Sequence, residues 1–159
     1  MTLKLLPYLL TCFCFSIIIG AAFYEHLAVW PRAYAAPPKS LSMFQGGYGL
    51  NAGVFWRAIH PLTVLLFIIT LITWWSTPKR NYVLIPFAGY ALILIATFAY
   101  FVPELMKLTS TPYADTIDDA LKSRGSLWIN LSWIRAVILS VLAMILYLGL
   151  TKPAIAGAD

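Results

Sequence analysis

Residues 127–150 read LWINLSWIRAVILSVLAMILYLGL, an apolar stretch of transmembrane length that carries a single charge, Arg135. The next charge downstream is Lys152, and the 16 uncharged residues between them reach only about 24 Å as a helix. A bilayer core is about 30 Å thick. If the stretch crosses a membrane, Arg135 lies below the interface, where a charge is costly and needs a partner. We therefore expect a direct contact between Arg135 and Glu25 or Glu104.

The composition assigns the chain to the integral membrane proteins. Of its 159 residues, 61% are hydrophobic and 11% charged, and the mean hydropathy is +0.81, which excludes an ordinary soluble domain. Three further runs of at least 20 residues carry no Asp, Glu, Lys or Arg, namely 5–24, 58–78 and 81–103. Each run is long enough to span a bilayer. We expect lipid around these helices and no nucleic-acid partner.

The predicted fold class is all-α: an integral membrane, up-down four-helix bundle with long loops on one side, forming a single domain over residues 1–159. The transmembrane helices are expected near 5–29, 54–77, 81–104 and 127–151. A short surface helix is predicted near 114–124, because acidic residues crowd its start, Lys122 and Arg124 lie at its end, and Gly125 follows.

Basic residues beside the helix ends predict the orientation. Very short segments contain Lys4, Lys79, Arg80 and Lys152, and this density favours both termini in the cytoplasm, although the longer loops carry more basic residues in total. The predicted location is the cell membrane, with several crossings. We expect no signal cleavage, because the signal-like motif at 33–35 lies too far beyond the first apolar run.

An up-down bundle brings most polar side chains of these helices to one surface. The predicted catalytic residues are His26, His60, Glu25, Arg57 and Arg135, and the predicted substrate-binding residues are Tyr24, Glu104, Asn130 and Trp133. Arg57 and His60 are three residues apart, a spacing that points both the same way. We expect the five catalytic residues to line one cavity that opens toward the long loops and is roofed by part of 31–51.

The same residues also have purely structural interpretations. A glutamate can simply neutralise Arg135, as a buried charge requires. His26 lies beside Trp30 near the interface, where an amphipathic ring is at home. Cys12 and Cys14 fall on different faces of the first helix and are interpreted as buried apolar residues.

Short motifs are spread over nearly the whole chain. They are Gly20-Ala21-Ala22-Phe23-Tyr24-Glu25, Val29-Trp30-Pro31, Phe55, His60-Pro61, Phe101-Val102-Pro103-Glu104, Trp128 and Leu131-Ser132-Trp133-Ile134-Arg135. In this combination the chain resembles the anthrone oxygenase-like family of small four-helix membrane proteins, most of which carry no assigned function. Ser132 stands where an asparagine is expected before the tryptophan, and Asn130 is close by.

The resemblance implies a membrane-embedded oxidoreductase that oxygenates a small, flat, apolar aromatic with an acidic C–H bond at the bundle mouth, and that requires no cofactor. The residues suit this chemistry. A neutral His60 or His26 can remove the proton. Arg135 can stabilise the resulting oxyanion or a superoxide, and Trp133 can stack on the aromatic ring. Glu25 would then orient a histidine.

Two other classes of function stay open. Imidazoles and carboxylates are ligands for iron, copper or zinc, so His26 and His60 could bind a metal, and the bundle mouth could also hold haem or a quinone. The remaining class is a non-catalytic membrane subunit or lipid-binding protein whose polar residues specify the fold. Assembly into a homo-oligomer is compatible with each of these classes.

Overall fold

The computed structural model describes residues 4–153, which form helices and loops and contain no β-strand. Four long helices follow one another, and we label them α1 (Leu5–Ala33), α2 (Gly53–Thr73), α3 (Arg80–Thr109) and α4 (Asp119–Thr151). Each is long and apolar enough to cross a membrane. The predicted all-α class with four membrane-length helices is confirmed for the described residues.

Large apolar side chains cover the outside of the four helices. Only 17–39% of the most apolar window of each helix is buried within the protein. Phe13, Ile72, Leu92 and Met144 are between 64% and 72% exposed. An apolar surface of this extent is typical of helices that lie against lipid.

The helices pack in a ring, in which α1 and α3 each contact both α2 and α4. In the core, the ring of Phe15 from α1 meets Phe67 of α2 and Tyr90 of α3, with centroid distances of 5.3 and 5.2 Å. Between α1 and α4, the hydroxyl of Tyr8 donates a 2.7 Å hydrogen bond to the carbonyl oxygen of Leu146. Small numbers of such polar bonds help to join helices that have no water between them.

Two of the helices contain a π-helical segment, Glu25–Val29 in α1 and Thr97–Phe101 in α3. A π segment accommodates one extra residue, and so it turns the side chains after it relative to those before it. Such segments occur frequently at functional sites. Both lie in the part of their helix that is nearest to the long loops, and both supply residues to the polar clusters described below.

The predicted surface helix near 114–124 is wrong, because α4 already begins at Asp119 and continues through Gly125. The acidic start was a genuine capping signal: Asp118 accepts a 2.9 Å hydrogen bond from the backbone N–H of Leu121. Gly125 does not end a helix. Its missing side chain makes room for Tyr34, since a Cβ atom there would lie 2.3 Å from the Tyr34 ring.

The loops that follow α1 and α3 are joined to each other, and we call residues 34–52 and 110–118 together the loop layer. A short 3-10 helix, Lys39–Phe44, lies within it. The side-chain amide of Gln45 donates to the carbonyl oxygens of Thr109 and Thr111 at 3.1 and 2.8 Å. Lys39 and Asp115 form an ion pair at 3.1 Å. Both loops therefore cover the same end of the bundle.

Lys79 marks the other end of the bundle, between α2 and α3. This residue is buried, and its ammonium group lies 4.9 Å from the centre of the Trp74 ring and 3.4 Å from the carbonyl oxygen of Leu150. Burial lowers the pKa of Lys79 from its usual value. Lys79, predicted only as a basic residue beside the helix ends, thus also joins the α2–α3 turn to the end of α4.

The close approach of Tyr34 to Gly125 predicts an unusual penalty for a small substitution. Gly125→Ala should lower the free energy of unfolding by about 1–3 kcal/mol, because the new methyl group overlaps the buried Tyr34 ring. Gly20→Ala is the matched control, since it also lies in a helix and has no atom within 4 Å of its Cβ position. Thermal unfolding of both variants in the same detergent tests this. Equal effects would contradict the proposed contact.

The Lys39–Asp115 pair predicts a pH-dependent contribution to stability. Hydrogen bonds from Tyr113 and then Lys39 hold the pKa of Asp115 below its usual range. The contribution is therefore complete above the ordinary aspartate pKa and disappears as the pH falls through the lowered one. Asp115→Asn should reduce the melting temperature slightly at pH 6, and this reduction should shrink as the pH falls through the lowered pKa of Asp115.

The control for the Asp115 experiment removes the other partner. Lys39→Met should reproduce part of the loss at pH 6, because the Tyr113 hydrogen bond to Asp115 remains, and the double variant should add little to Asp115→Asn alone. Additive losses would show that the two residues act separately.

Candidate functional site

Arg135 is half-buried on α4 and contacts α3. Its guanidinium group donates to the hydroxyl of Thr97 at 3.0 Å and to that of Ser132 at 2.8 Å. It also lies over the ring of Phe101, with 4.3 Å between the guanidinium carbon and the ring centroid. Neutral hydroxyls and an aromatic face therefore surround this charge. Thr97 and Phe101 both belong to the π-helical segment of α3.

The predicted direct contact of Arg135 with a glutamate is wrong. Glu104 pairs with Arg124 of α4 at 2.7 Å. Glu25 accepts a 2.9 Å hydrogen bond from the indole N–H of Trp56 on α2. Within residues 4–153, Arg135 has no carboxylate oxygen within 4.0 Å, although it remains close enough to Glu25 to interact electrostatically. The carboxylates are held by other partners, so hydroxyls replace them at Arg135.

His26 lies in the π-helical segment of α1 and is 96% buried, with an exposed fraction of 4%. Its Nδ1 lies 2.6 Å from the carbonyl oxygen of Ala22. A carbonyl oxygen can only accept, so Nδ1 carries the proton and Nε2 of the neutral ring is the basic nitrogen. Nε2 is buried and has no hydrogen-bond partner among the described residues. The His26 ring packs on Trp133 of α4, with 4.6 Å between the ring centroids.

His60 belongs to a different chain of contacts, which runs from α1 through α2 to α3. Trp56 donates to Glu25 and stacks on His60, with ring centroids 5.2 Å apart and planes inclined by 21°. Nδ1 of His60 is 2.6 Å from the hydroxyl of Tyr90. Glu25 thus reaches His60 only through an indole ring. The prediction that Glu25 orients a histidine therefore finds no direct hydrogen bond to support it.

Three predicted site residues lie apart from these contacts. Arg57 is exposed and donates to the carbonyl oxygen of Gly53, one turn earlier in its own helix, at 3.1 Å. Asn130 is exposed on α4, and Tyr24 is 66% exposed on α1. The spacing of Arg57 and His60 placed them on neighbouring positions of α2, but the long arginine side chain folds back on the helix.

Two cavities lie beside α1. One, of about 210 Å³, is lined by Ala21, Tyr24, Glu25, Val29, Leu50, Ala52 and Phe55. The other, of about 350 Å³, is a groove between α1 and α4 lined by Ser16, Ile19, Gly20, Ser140, Ala143 and Tyr147. Leu50 belongs to the predicted roof, 31–51, and Glu25 lies in the smaller cavity. Neither cavity includes His26, His60, Arg57 or Arg135, so the five predicted catalytic residues do not share either one.

Four of the five predicted catalytic residues nevertheless lie near one another: Arg135, Glu25, His26 and His60. The charge of Arg135 is close enough to interact with Glu25, His26 and His60. Arg57 is absent from this group. The site therefore has Arg135 near its centre, His26 with Trp133 on one side of α1, and Glu25 with Trp56 on another.

A metal site at His26 and His60 would need a third protein ligand. Within residues 4–153, no group of three or more His, Cys, Asp or Glu side chains is placed to hold a metal ion. Protein metal sites for iron, copper or zinc usually supply at least three such ligands. Cys12 and Cys14 are buried and free, as predicted.

The sequence did not reveal the partners of these residues. Thr97 and Tyr90 lie in apolar runs and look like ordinary residues of a membrane helix. Ser132 looked like a departure from an expected asparagine, yet its hydroxyl accepts a bond from Arg135. A hydroxyl one helical turn before an arginine was the available signal, because residues three apart share a face.

Comparison of the chain with family models, with characterised proteins and with solved structures gives no match.

The contacts of Arg135 predict that charge alone does not suffice at this position. Arg135→Lys should destabilise the protein by about 1–3 kcal/mol, because a lysine cannot bond both Thr97 and Ser132 and also cover Phe101. Arg57→Lys is the matched control and should change stability by less than about 0.5 kcal/mol, since that side chain is exposed. Denaturant or thermal unfolding in detergent compares the two. A tolerated Arg135→Lys would contradict the need for the guanidinium fork.

Proposed function

We propose that this protein is a multi-pass membrane oxidoreductase that oxygenates a small, flat, apolar aromatic without a cofactor, as its motif resemblance to the anthrone oxygenase-like proteins implies. The proposal places the four helices across the cell membrane in alternating directions, with both termini in the cytoplasm. The contact of Tyr8, near the start of α1, with Leu146, near the end of α4, supports this arrangement.

The observation that carries the proposal is the buried Nε2 atom of His26, which has no hydrogen-bond partner among the described residues. Its Nδ1–H is fixed by the Ala22 carbonyl, so Nε2 presents a lone pair. That nitrogen is buried, and the described residues provide it with no partner. A buried polar atom without a partner is costly unless something else fills its place. A substrate C–H group that gives its proton to Nε2 would do so.

His26 is a better candidate for the base than His60. Nδ1 of His60 already bonds to Tyr90, and its ring is covered by Trp56. The His26 ring instead packs on Trp133, an aromatic surface suited to a flat substrate. Since neither described cavity includes His26, we expect the Trp133 side chain to move when substrate binds.

Arg135 supplies the electrostatic part of the reaction. Thr97 and Ser132 use two of its five N–H groups, and its charge acts on His26 through space. An anion formed beside His26 is therefore stabilised by a fixed positive charge in an apolar surrounding. A superoxide or a peroxide anion benefits in the same way.

The reaction balances with O₂ as the only oxidant. Nε2 of His26 takes a proton from a doubly activated CH₂ group, and the carbanion passes one electron to O₂. The radical and superoxide combine to a peroxide anion, which takes the proton back from His26. The resulting hydroperoxide loses water as the second C–H bond breaks. The CH₂ group becomes C=O, with one oxygen atom of O₂ in the ketone and the other in water.

Turnover of tricyclic aromatic ketones that carry such a CH₂ group tests the proposal. The protein in nanodiscs should consume O₂ and place one ¹⁸O atom from ¹⁸O₂ in the product. His26→Gln should lower kcat/KM by about 10²–10⁴-fold, the usual contribution of general base catalysis. His60→Gln is the matched control and should have a much smaller effect. Thermal unfolding of both variants verifies that they fold.

Two outcomes would contradict the proposal. Absence of O₂-dependent turnover across the panel would remove the oxygenase function, and a greater loss in His60→Gln than in His26→Gln would move the base to α2. Elemental analysis and an optical spectrum of the purified protein test cofactor independence. Stoichiometric iron, copper, zinc, haem or quinone would favour the redox-cofactor alternative.

A further inference from the structure

The smaller cavity lies on a different side of α1 from His26. Its α1 residues are Ala21, Tyr24, Glu25 and Val29, and Leu50, Ala52 and Phe55 of the loop layer and α2 complete it. Its volume of about 210 Å³ is below the roughly 300–1,000 Å³ of sites for drug-sized ligands. The cavity therefore suits a molecule with one ring or a short alkyl group.

Glu25 gives this otherwise apolar cavity a negative charge. One of its oxygens accepts a 2.9 Å hydrogen bond from the indole N–H of Trp56, and the indole of Trp30 lies close enough to interact with the same carboxylate. Arg135 forms no ion pair with Glu25 and acts on it only through space, since its guanidinium bonds to Thr97 and Ser132. A carboxylate among apolar groups is stable only if it is paired. Both indole donors are neutral, so the carboxylate keeps its charge and can still take a cationic partner.

Aromatic rings add a second reason for a cation. Tyr24 and Phe55 both line the cavity and are 66% and 37% exposed, so their surfaces are free to meet a ligand. The faces of aromatic rings attract ammonium groups, most strongly where water is excluded. Aromatic rings form the usual surroundings of a bound quaternary ammonium.

We propose that this cavity binds a small organic cation, an ammonium group attached to a single ring or short alkyl chain. Glu25 pairs with the ammonium charge, and Tyr24 and Phe55 contact it with their rings. The apolar part of the ligand lies against Ala21 and Leu50. The cavity lies on the other side of α1 from the proposed base, because Glu25 contacts Trp56 of α2 whereas His26 contacts Trp133 of α4.

Binding of benzyltrimethylammonium tests the proposal, with neopentylbenzene as its uncharged isostere. Equilibrium dialysis uses the full chain in nanodiscs of zwitterionic lipid, with empty nanodiscs as the blank. The cation should bind to the protein with a dissociation constant that Glu25→Gln raises at least about tenfold, equivalent to about 1.4 kcal/mol. Binding of the isostere should not change with this substitution.

Two further variants locate the effect. Glu104→Gln removes a carboxylate that Arg124 already pairs with and that lies outside the cavity, so it should leave cation binding unchanged. Phe55→Leu keeps an apolar side chain but removes the ring, and it should weaken binding of the cation more than that of the isostere. Thermal unfolding of each variant confirms that it folds.

Three results would overturn the proposal. They are cation binding no tighter than that of the isostere, equal effects of Glu25→Gln and Glu104→Gln, and no saturable binding, which would mean that Glu25 holds only a proton. The assay needs no turnover, so it is independent of the oxygenase test.

Discussion

The compensation of the Arg135 charge is the constraint on which the polar half of this bundle depends. A guanidinium among apolar side chains cannot remain without partners. The structure satisfies it with Thr97, Ser132 and the face of Phe101, and leaves Glu25 and Glu104 to other donors. Two of these three partners belong to the π-helical segment of α3, so the local shape of that helix and the charge on α4 depend on each other.

The four helices could be predicted because they follow from run length and composition, which act locally. Their ends were less predictable. Residues near 119 resemble the start of a helix, and α4 does begin there. The sequence does not show why a glycine lies inside this helix: the ring of Tyr34, from a distant loop, occupies the space that a side chain at position 125 would need. The π-helical segments share a sequence signal that was not used: each ends two residues before a proline, Pro31 or Pro103, which has no N–H to continue the α-helical hydrogen bonds. The prediction of the partners of Glu25 failed because several donors can satisfy a carboxylate. The packing of the helices selects Trp56.

The site illustrates how far neighbours in sequence can diverge in role. Glu25 and His26 are adjacent, and successive residues of a helix point about 100° apart. One therefore contacts α2 through Trp56, and the other contacts α4 through Trp133. The sequence predicted that polarity gathers near one end of the bundle. It could not indicate that this polarity is divided among separate aromatic contacts, because that division depends on which helix lies on each side of α1.

The π-helical segment Glu25–Val29 also determines the direction in which the side chains after it point. Loss of one residue there would return the segment to α-helix and rotate every later side chain of α1 by about 100°. Tyr34 would then lose its close contact with Gly125, and Trp30 would lose its contact with Trp128, where the ring centroids are 4.8 Å apart. Homologous chains that keep the tyrosine–glycine pair are thus expected to conserve the length of this segment more strictly than its amino acids.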